Sequence, residues 1–332
     1  MKIAIISTGW QNIFTEEKLE KLKTIGEVSI VNDQDVSEGK PTEENIKATI
    51  KDADIAITSW GTPKLNKDIL DMCPNLKLIM HAAGTVKPIV CDEVWERGIR
   101  VTASAKPLGI GVAETALAFA LSACKNIYEL NDDLHNGGYA SKRVNVKEFY
   151  ELTVGVIGAG FVGRHFIKLV QNFGVDVILY DPFIDGETAE KMGCRKVELE
   201  ELFKLSDVVS IHAPNIPATR HMVNAETLKL MKKDAILINT ARGAIVDAQA
   251  LYEHMAAGNL KYALLDVYDP EPLAVDSPLR TLKNIILTPH IAGLWANGKW
   301  RIGAHSIEEI ERFLNGERLE CEITKAMLET IA

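Results

Sequence analysis

Three side chains far apart in the chain carry the chemistry needed to reduce a carbonyl or oxidise an alcohol. Arg242 closes the apolar run "ILINTARG", Glu271 stands between two prolines in "LDVYDPEP", and His290 ends "IILTPH". The guanidinium is a rigid fork that can hold a carboxylate through two charge-assisted bonds, although a surface salt bridge would use the same group. Histidine titrates near neutrality, so it can take a proton from a hydroxyl or return one to a carbonyl, and a neighbouring carboxylate would orient its ring. Each of the three follows a β-rich run, and the carboxyl ends of doubly wound strands face the ligand crevice. Seven other histidines (His81, His135, His165, His212, His221, His254 and His305) compete with His290. Its place just after a strand, in the same half as the motif described next, sets it apart.

That motif is "TVGVIGAGFVG", in which Gly158, Gly160 and Gly163 form G-x-G-x-x-G between an apolar strand and a helix-period stretch. The first glycine permits a tight turn, the second lets amides approach a pyrophosphate, and the third lets helix and sheet pack closely. Asp181 ends "VDVILYD", 18 residues beyond Gly163. A carboxylate there can accept bonds from ribose hydroxyls and would repel a 2'-phosphate, so NAD is favoured over NADP. A strand-ending turn before Pro182 is the bland alternative.

These residues need a scaffold, and the pattern around them supplies one. "KIAIIS", "EVSIV", "ADIAIT", "NLKLIM" and "GIRVT" read as five buried strands separated by helical stretches, an α/β domain ending near Val101. "TVGVIG", "VDVILYD", "CRKV", "DVVSIH", "AILINT", "YALLDV" and "NIILTPH" read as a second series of six or seven strands. Between the series, residues 109–135 read as one long apolar helix, buried at a subunit interface or as a linker between domains.

The 332 residues suit two domains. With 37 basic and 46 acidic side chains the formal charge is -9, which disfavours nucleic acid and anionic membranes as partners. Five scattered cysteines, with no Cys-x-x-Cys pair, indicate neither a metal cluster nor a disulfide framework. The start "MKIAIIS" lacks a signal core, and the longest apolar stretch, "TALAFALSAC", falls short of the roughly 20 residues that span a bilayer. A cytoplasmic protein is expected.

Taken in order, "GAGFVG", "YDP", "HAPNIPATRHMVN", "INTARGAIVD", "LDVYDPEP" and "TPHIAG" resemble the D-isomer-specific 2-hydroxyacid dehydrogenase family, strongly in the middle of the chain and weakly before it. The resemblance implies two doubly wound parallel-sheet domains, with a Rossmann NAD-binding domain (102–294) inserted into a flavodoxin-like substrate domain (1–101 and 295–332). A fingerprint at mid-chain is then explained, with the active site expected in a cleft that closes. It implies hydride transfer between nicotinamide and C2 of a 2-hydroxy or 2-oxo acid. Arg242 would hold the substrate carboxylate, His290 would be the acid/base and Glu271 its orienting partner. Phe161, Val162 and Arg164 would border the pyrophosphate, Val162 and Arg164 through their amides. His212, Ala213 and Pro214 would line the adenine side, leaving His212 non-catalytic, and Thr240 and Ala241 would border the cofactor. Asp266 would contact the nicotinamide carboxamide, or else cap a turn. A homodimer through the long helix is implied as well.

The family's substrate loop departs from its usual form here, reading "AAGTVKP". Backbone donors at Ala83, Gly84 and Thr85 can still hold a carboxylate. Lys87, and Lys106 in "SAKPLG", would suit a second anionic group unless they are simply solvated, whereas Leu294 and Trp295 would suit a small or apolar substrate. Two other readings share the scaffold. A formate dehydrogenase would carry glutamine where Glu271 stands, and an NAD-sensing regulator such as a corepressor would not need the Arg, Glu and His set.

Overall fold

The computed structural model describes residues 1–34, 36–37 (backbone only), 39–139, 146–293 and 297–331. The chain divides into two units, residues 1–108 with the segment from 294 onward, and residues 109–293. The sequence puts the boundary near Val101; the division falls at Leu108, inside the helix Ala105–Cys124, which follows the strand Arg100–Ala103 after a single residue.

The first unit is built on five parallel strands, β1 (Lys2–Ile5), β2 (Glu27–Ile30), β5 (Ile55–Thr58), β6 (Leu78–His81) and β7 (Arg100–Ala103), in the order β2-β1-β5-β6-β7. A two-residue hairpin, β3 (Val36–Ser37) and β4 (Lys40–Pro41), lies outside this sheet. Continuous apolar runs form such strands because helices cover both faces. Ile3, Ile5, Ile55, Ile57, Leu78 and Met80 pack on one side with Leu22, Ile302 and Ile310. Ala4, Ile6, Ala56 and Ile79 pack on the other with Ile46, Ile69 and Val94.

The C-terminal segment belongs to this unit because a fully buried carboxylate holds it there. Glu309 accepts from Thr102 Oγ1 at 2.5 Å, from the amides of Glu320 and Cys321 at 2.9 and 3.1 Å, and from Arg312 at 2.9 Å. Arg100 forks onto Glu322 at 2.6 and 2.8 Å beside it.

The second unit holds seven parallel strands: β8 (Thr153–Ile157), β9 (Asp176–Tyr180), β10 (Arg195–Lys196), β11 (Val208–Ile211), β12 (Ile236–Asn239), β13 (Tyr262–Leu265) and β14 (Ile285–Leu287). Their order, β10-β9-β8-β11-β12-β13-β14, reverses direction between β8 and β11, the switch point at which doubly wound sheets bind ligands. Gly155, inside β8, has a packing reason. A Cβ there would lie 2.2 Å from Ser206 Oγ and 2.8 Å from Leu202 Cδ2, so only glycine lets the helix Leu199–Leu205 sit so close.

The single helix expected over 109–135 is two, Ala105–Cys124 and Ile127–His135. Asn126 breaks it in a left-handed conformation (φ 53°), with its side chain accepting from Tyr262 Oη at 2.7 Å and donating to Glu129 at 2.8 Å. The 20 residues of Ala105–Cys124 do reach the length and apolarity of a bilayer-crossing helix, contrary to the reading of the shorter run "TALAFALSAC". Ala113, Ala116, Phe119, Ala120 and Ala123 on this helix are buried in a core with Val154, Val156 and Phe166.

Burial pushes the Glu309 pKa up, but its bonds from Thr102 and the two amides outweigh this and hold the carboxyl below the ordinary 4.5. A depressed folded pKa stabilises above the ordinary value and is lost as pH falls through it. Glu309→Gln is therefore expected to cost about 1–3 kcal/mol at neutral pH. In urea unfolding, the gap from wild type should close as the pH drops below 4.5.

Candidate active site

The sheet of the second unit brings Arg242, Glu271 and His290 to one edge. They follow β12, β13 and β14, which are neighbours in the sheet, so the turns after three adjacent strands carry them. His290 Nδ1 and Glu271 Oε1 share a short hydrogen bond. Nε2 has no partner among the described residues and the ring is half exposed, so this nitrogen is free to meet a ligand. Arg242 is largely buried; desolvation pulls its pKa down while the nearby Glu271 carboxylate pushes it up, and an arginine keeps its charge under such opposing pulls.

What fixes the imidazole is its backbone. His290 has φ 52°, a left-handed conformation that a side chain adopts only when its surroundings enforce it. The enforcing group is Asp266, which is fully buried and accepts from Thr288 Oγ1 at 2.5 Å and from the Ile291 and Ala292 amides at 2.9 Å each. In this structure both carboxylate oxygens serve the turn. This is the turn-holding role that the sequence offered beside a nicotinamide contact.

Sequence reasoning passed over three residues that support this edge. The single Tyr268 hydroxyl proton is shared between Thr288 O at 2.7 Å and Leu265 O at 3.0 Å, tying the ends of β13 and β14, and burial raises its pKa to about 12. Asn239 Nδ2 donates to Arg242 O at 2.9 Å while its Oδ1 accepts from the Ala241 amide at 3.1 Å, which shapes the arginine turn. Gly243 packs so tightly that a Cβ would fall 1.9 Å from the Tyr268 carbonyl carbon. The signal for Tyr268 was its place between Asp266 and Glu271 in "LDVYDPEP".

The glycine motif follows β8 at the switch point and opens the helix Phe161–Val170. Gly158 has φ 93°, and a Cβ would meet the His212 and Ala213 backbone at 2.9 Å. Gly163 lies against Gly158 O, 2.0 Å from where its Cβ would be. Gly160 differs, with nothing within 4 Å of its Cβ position.

The sequence pattern of the D-isomer specific 2-hydroxyacid dehydrogenase NAD binding domain matches residues 117–292. The chain belongs to that family. It is 36% identical over 306 residues to D-3-phosphoglycerate dehydrogenase of Methanocaldococcus jannaschii, covering 92% of this chain and 57% of that one. It is 32% identical over 270 residues to hydroxypyruvate reductase of Thermotoga maritima, covering 81% and 87% of the two chains. The solved structure of D-2-hydroxyisocaproate dehydrogenase superposes with a TM-score of 0.79 at 27% identity, over 98% of this chain and 100% of that one. The chain thus spans a little over half the length of the phosphoglycerate dehydrogenase it matches.

A dinucleotide fits the residues present. The open space at Gly160 lies before the amides of Phe161, Val162 and Gly163, which precede the first helical hydrogen bond. Two buried polar atoms just past β11 and β12 have no partner among the described residues: His212 Nδ1 and Thr240 Oγ1. His212, with Nε2 2.9 Å from Ser210 Oγ and its pKa pushed by burial to about 3, is neutral and stands beside the buried Ala213 and the half-buried Pro214. Asp181 accepts from the Ala159 amide and the Phe183 amide, each at 2.8 Å, one bond per oxygen. Each oxygen keeps a lone pair for a ribose hydroxyl. One expectation fails here. The Arg164 amide donates to Gly160 O at 3.0 Å inside the helix, so it cannot serve a phosphate, and its Nε holds Ala159 O at 2.8 Å instead.

In the first unit the expected donors around "AAGTVKP" are fewer than supposed. The Ala83 amide donates to His81 O at 2.7 Å, while the Gly84 amide has no partner among the described residues. Lys87 Nζ donates to Ile331 O at 2.6 Å, and Lys106 pairs with Glu320, so both ammonium groups are drawn to the C-terminal segment. Trp295, with Leu294, lies outside the described residues.

The second and third glycines of the motif separate binding from folding. Gly160→Val should weaken NADH binding, read by fluorescence titration, by at least about tenfold while the melting temperature holds. Gly163→Val should lower the melting temperature itself, because Gly158 O occupies its Cβ position.

Proposed function

We propose that this chain is an NAD-dependent oxidoreductase that moves a hydride between nicotinamide and C2 of a small D-2-hydroxy acid or its 2-oxo acid. The observation that carries the reading is the His290–Glu271 pair set beside Arg242 at the ends of three adjacent parallel strands. Bound nicotinamide would supply or accept the hydride. In reduction, His290 delivers the proton on Nε2 to the 2-oxo oxygen while Arg242 holds the carboxylate and helps polarise the carbonyl. In oxidation the neutral Nε2 takes the hydroxyl proton. Glu271, bonded at Nδ1, keeps Nε2 outward and steadies the protonated ring in both directions.

The resemblance of "AAGTVKP" to the family's substrate loop supports giving the 83–85 backbone to the substrate carboxylate, with Gly84 N as a donor. Asp181 supports NAD over NADP by repelling a 2'-phosphate. Engagement of Lys87 with Ile331 and of Lys106 with Glu320 argues against a second anionic group on the substrate. The reading therefore favours glyoxylate, pyruvate or hydroxypyruvate over oxaloacetate or phosphohydroxypyruvate. A homodimer through the apolar helix Ala105–Cys124, in the cytoplasm, is part of the same proposal and accords with five unpaired cysteines.

Two measurements test it. On a panel of 2-oxo acids with NADH, singly charged acids should be turned over with higher kcat/KM than doubly charged ones. His290→Ala should lower kcat by about 100- to 10,000-fold with NADH affinity unchanged. NADH binding without turnover of any acid on the panel would instead favour a cofactor-sensing regulator.

A further inference from the structure

The first unit carries a polar cluster where its interior is otherwise apolar. At the carboxyl ends of β5, β6 and β7, Thr58, Ser59, His81 and Ser104 are each no more than 3% exposed. Buried polar groups persist only when they are bonded, and the carboxyl ends of parallel strands are where open α/β sheets hold ligands.

Every member of the cluster grips the backbone that follows β6. Ser59 Oγ donates to Ala82 O at 3.0 Å, and the Ser104 amide donates to Ala83 O at 2.9 Å. The Ala82 amide donates to Thr58 O at 2.7 Å. Thr58 Oγ1 lies 2.8 Å from His81 Nδ1, and the His81 ring also hydrogen-bonds the Thr85 backbone. That second bond favours the protonated ring, so His81 is its donor and a carbonyl accepts it. Nδ1 must then accept from the Thr58 hydroxyl. One neutral tautomer satisfies both contacts, and burial, which pushes the pKa down to about 4, keeps the ring neutral at physiological pH.

A histidine that merely filled space would need neither partner. Here the ring is the link between β5 and the far end of the loop, while Ser59 and Ser104 reach only its near end at Ala82 and Ala83. We propose that His81, oriented by Thr58, is a positioning residue that sets the 82–85 backbone to receive the substrate carboxylate. This rests on the reading above that gives this loop to the substrate.

The test compares His81→Leu, which keeps bulk and loses both bonds, with His81→Gln, which retains an acceptor and a donor, using NADH and the best 2-oxo acid of the panel. The expected result is a KM for the acid raised at least about tenfold in His81→Leu, a smaller fall in kcat, unchanged NADH affinity, and partial recovery in His81→Gln. A folded His81→Leu enzyme with the wild-type KM overturns the proposal, as does an equal loss of NADH affinity, which would mark general destabilisation. If His81→Leu does not fold, Thr58→Val decides: a KM raised about threefold or more supports the role, and an unchanged KM overturns it. Wild-type turnover on the panel tests the underlying reading separately, and its absence would sink both.

Discussion

A carboxylate that no water reaches holds the turn on which the candidate chemistry depends. Asp266 gathers Thr288 Oγ1 and the Ile291 and Ala292 amides, and between them His290 is bent into a left-handed backbone. Leaving a buried carboxylate without these donors would be costly, so the turn and the charge stabilise each other. Only with the turn in that shape does the ring meet Glu271 through Nδ1 and leave Nε2 outward.

The same economy of placement runs through both units. Strand interiors are Ile, Val, Leu and Ala, covered on two faces, and polar side chains enter the buried interior mainly at strand ends or under the C-terminal segment. In the second unit those ends carry Asn239, Asp266 and Thr288, which shape turns. In the first they carry Thr58, His81 and Ser104, which shape the loop after β6. Turns held by buried bonds can present a guanidinium or an imidazole with little freedom, and that is what orientation-dependent catalysis requires.

Much of this was legible in the residues. Continuous apolar runs marked both parallel sheets, and the glycine spacing marked a tight turn from strand into helix, which the structure places after β8, because strand burial and glycine geometry are local properties. The position of Arg242, Glu271 and His290 just past β-rich runs placed them at strand ends for the same reason. What was not legible depended on partners distant in sequence. The helix break at Asn126 follows from its bond with Tyr262, the capture of Lys87 from the Ile331 carbonyl, and the burial of Asp266 from a turn 22 residues on. The Arg164 amide was misjudged for a simpler reason: one more residue into the helix, an amide already has its partner four residues back.

The central claim is that His290, held by Glu271, carries the proton in both directions. The direct measurement is kcat/KM against pH for reduction and for oxidation, in wild type and in His290→Asn. Wild type should reduce faster as the pH falls and oxidise faster as it rises, and this opposition should vanish in the variant. The same opposed profiles in His290→Asn, at undiminished turnover, would contradict the account.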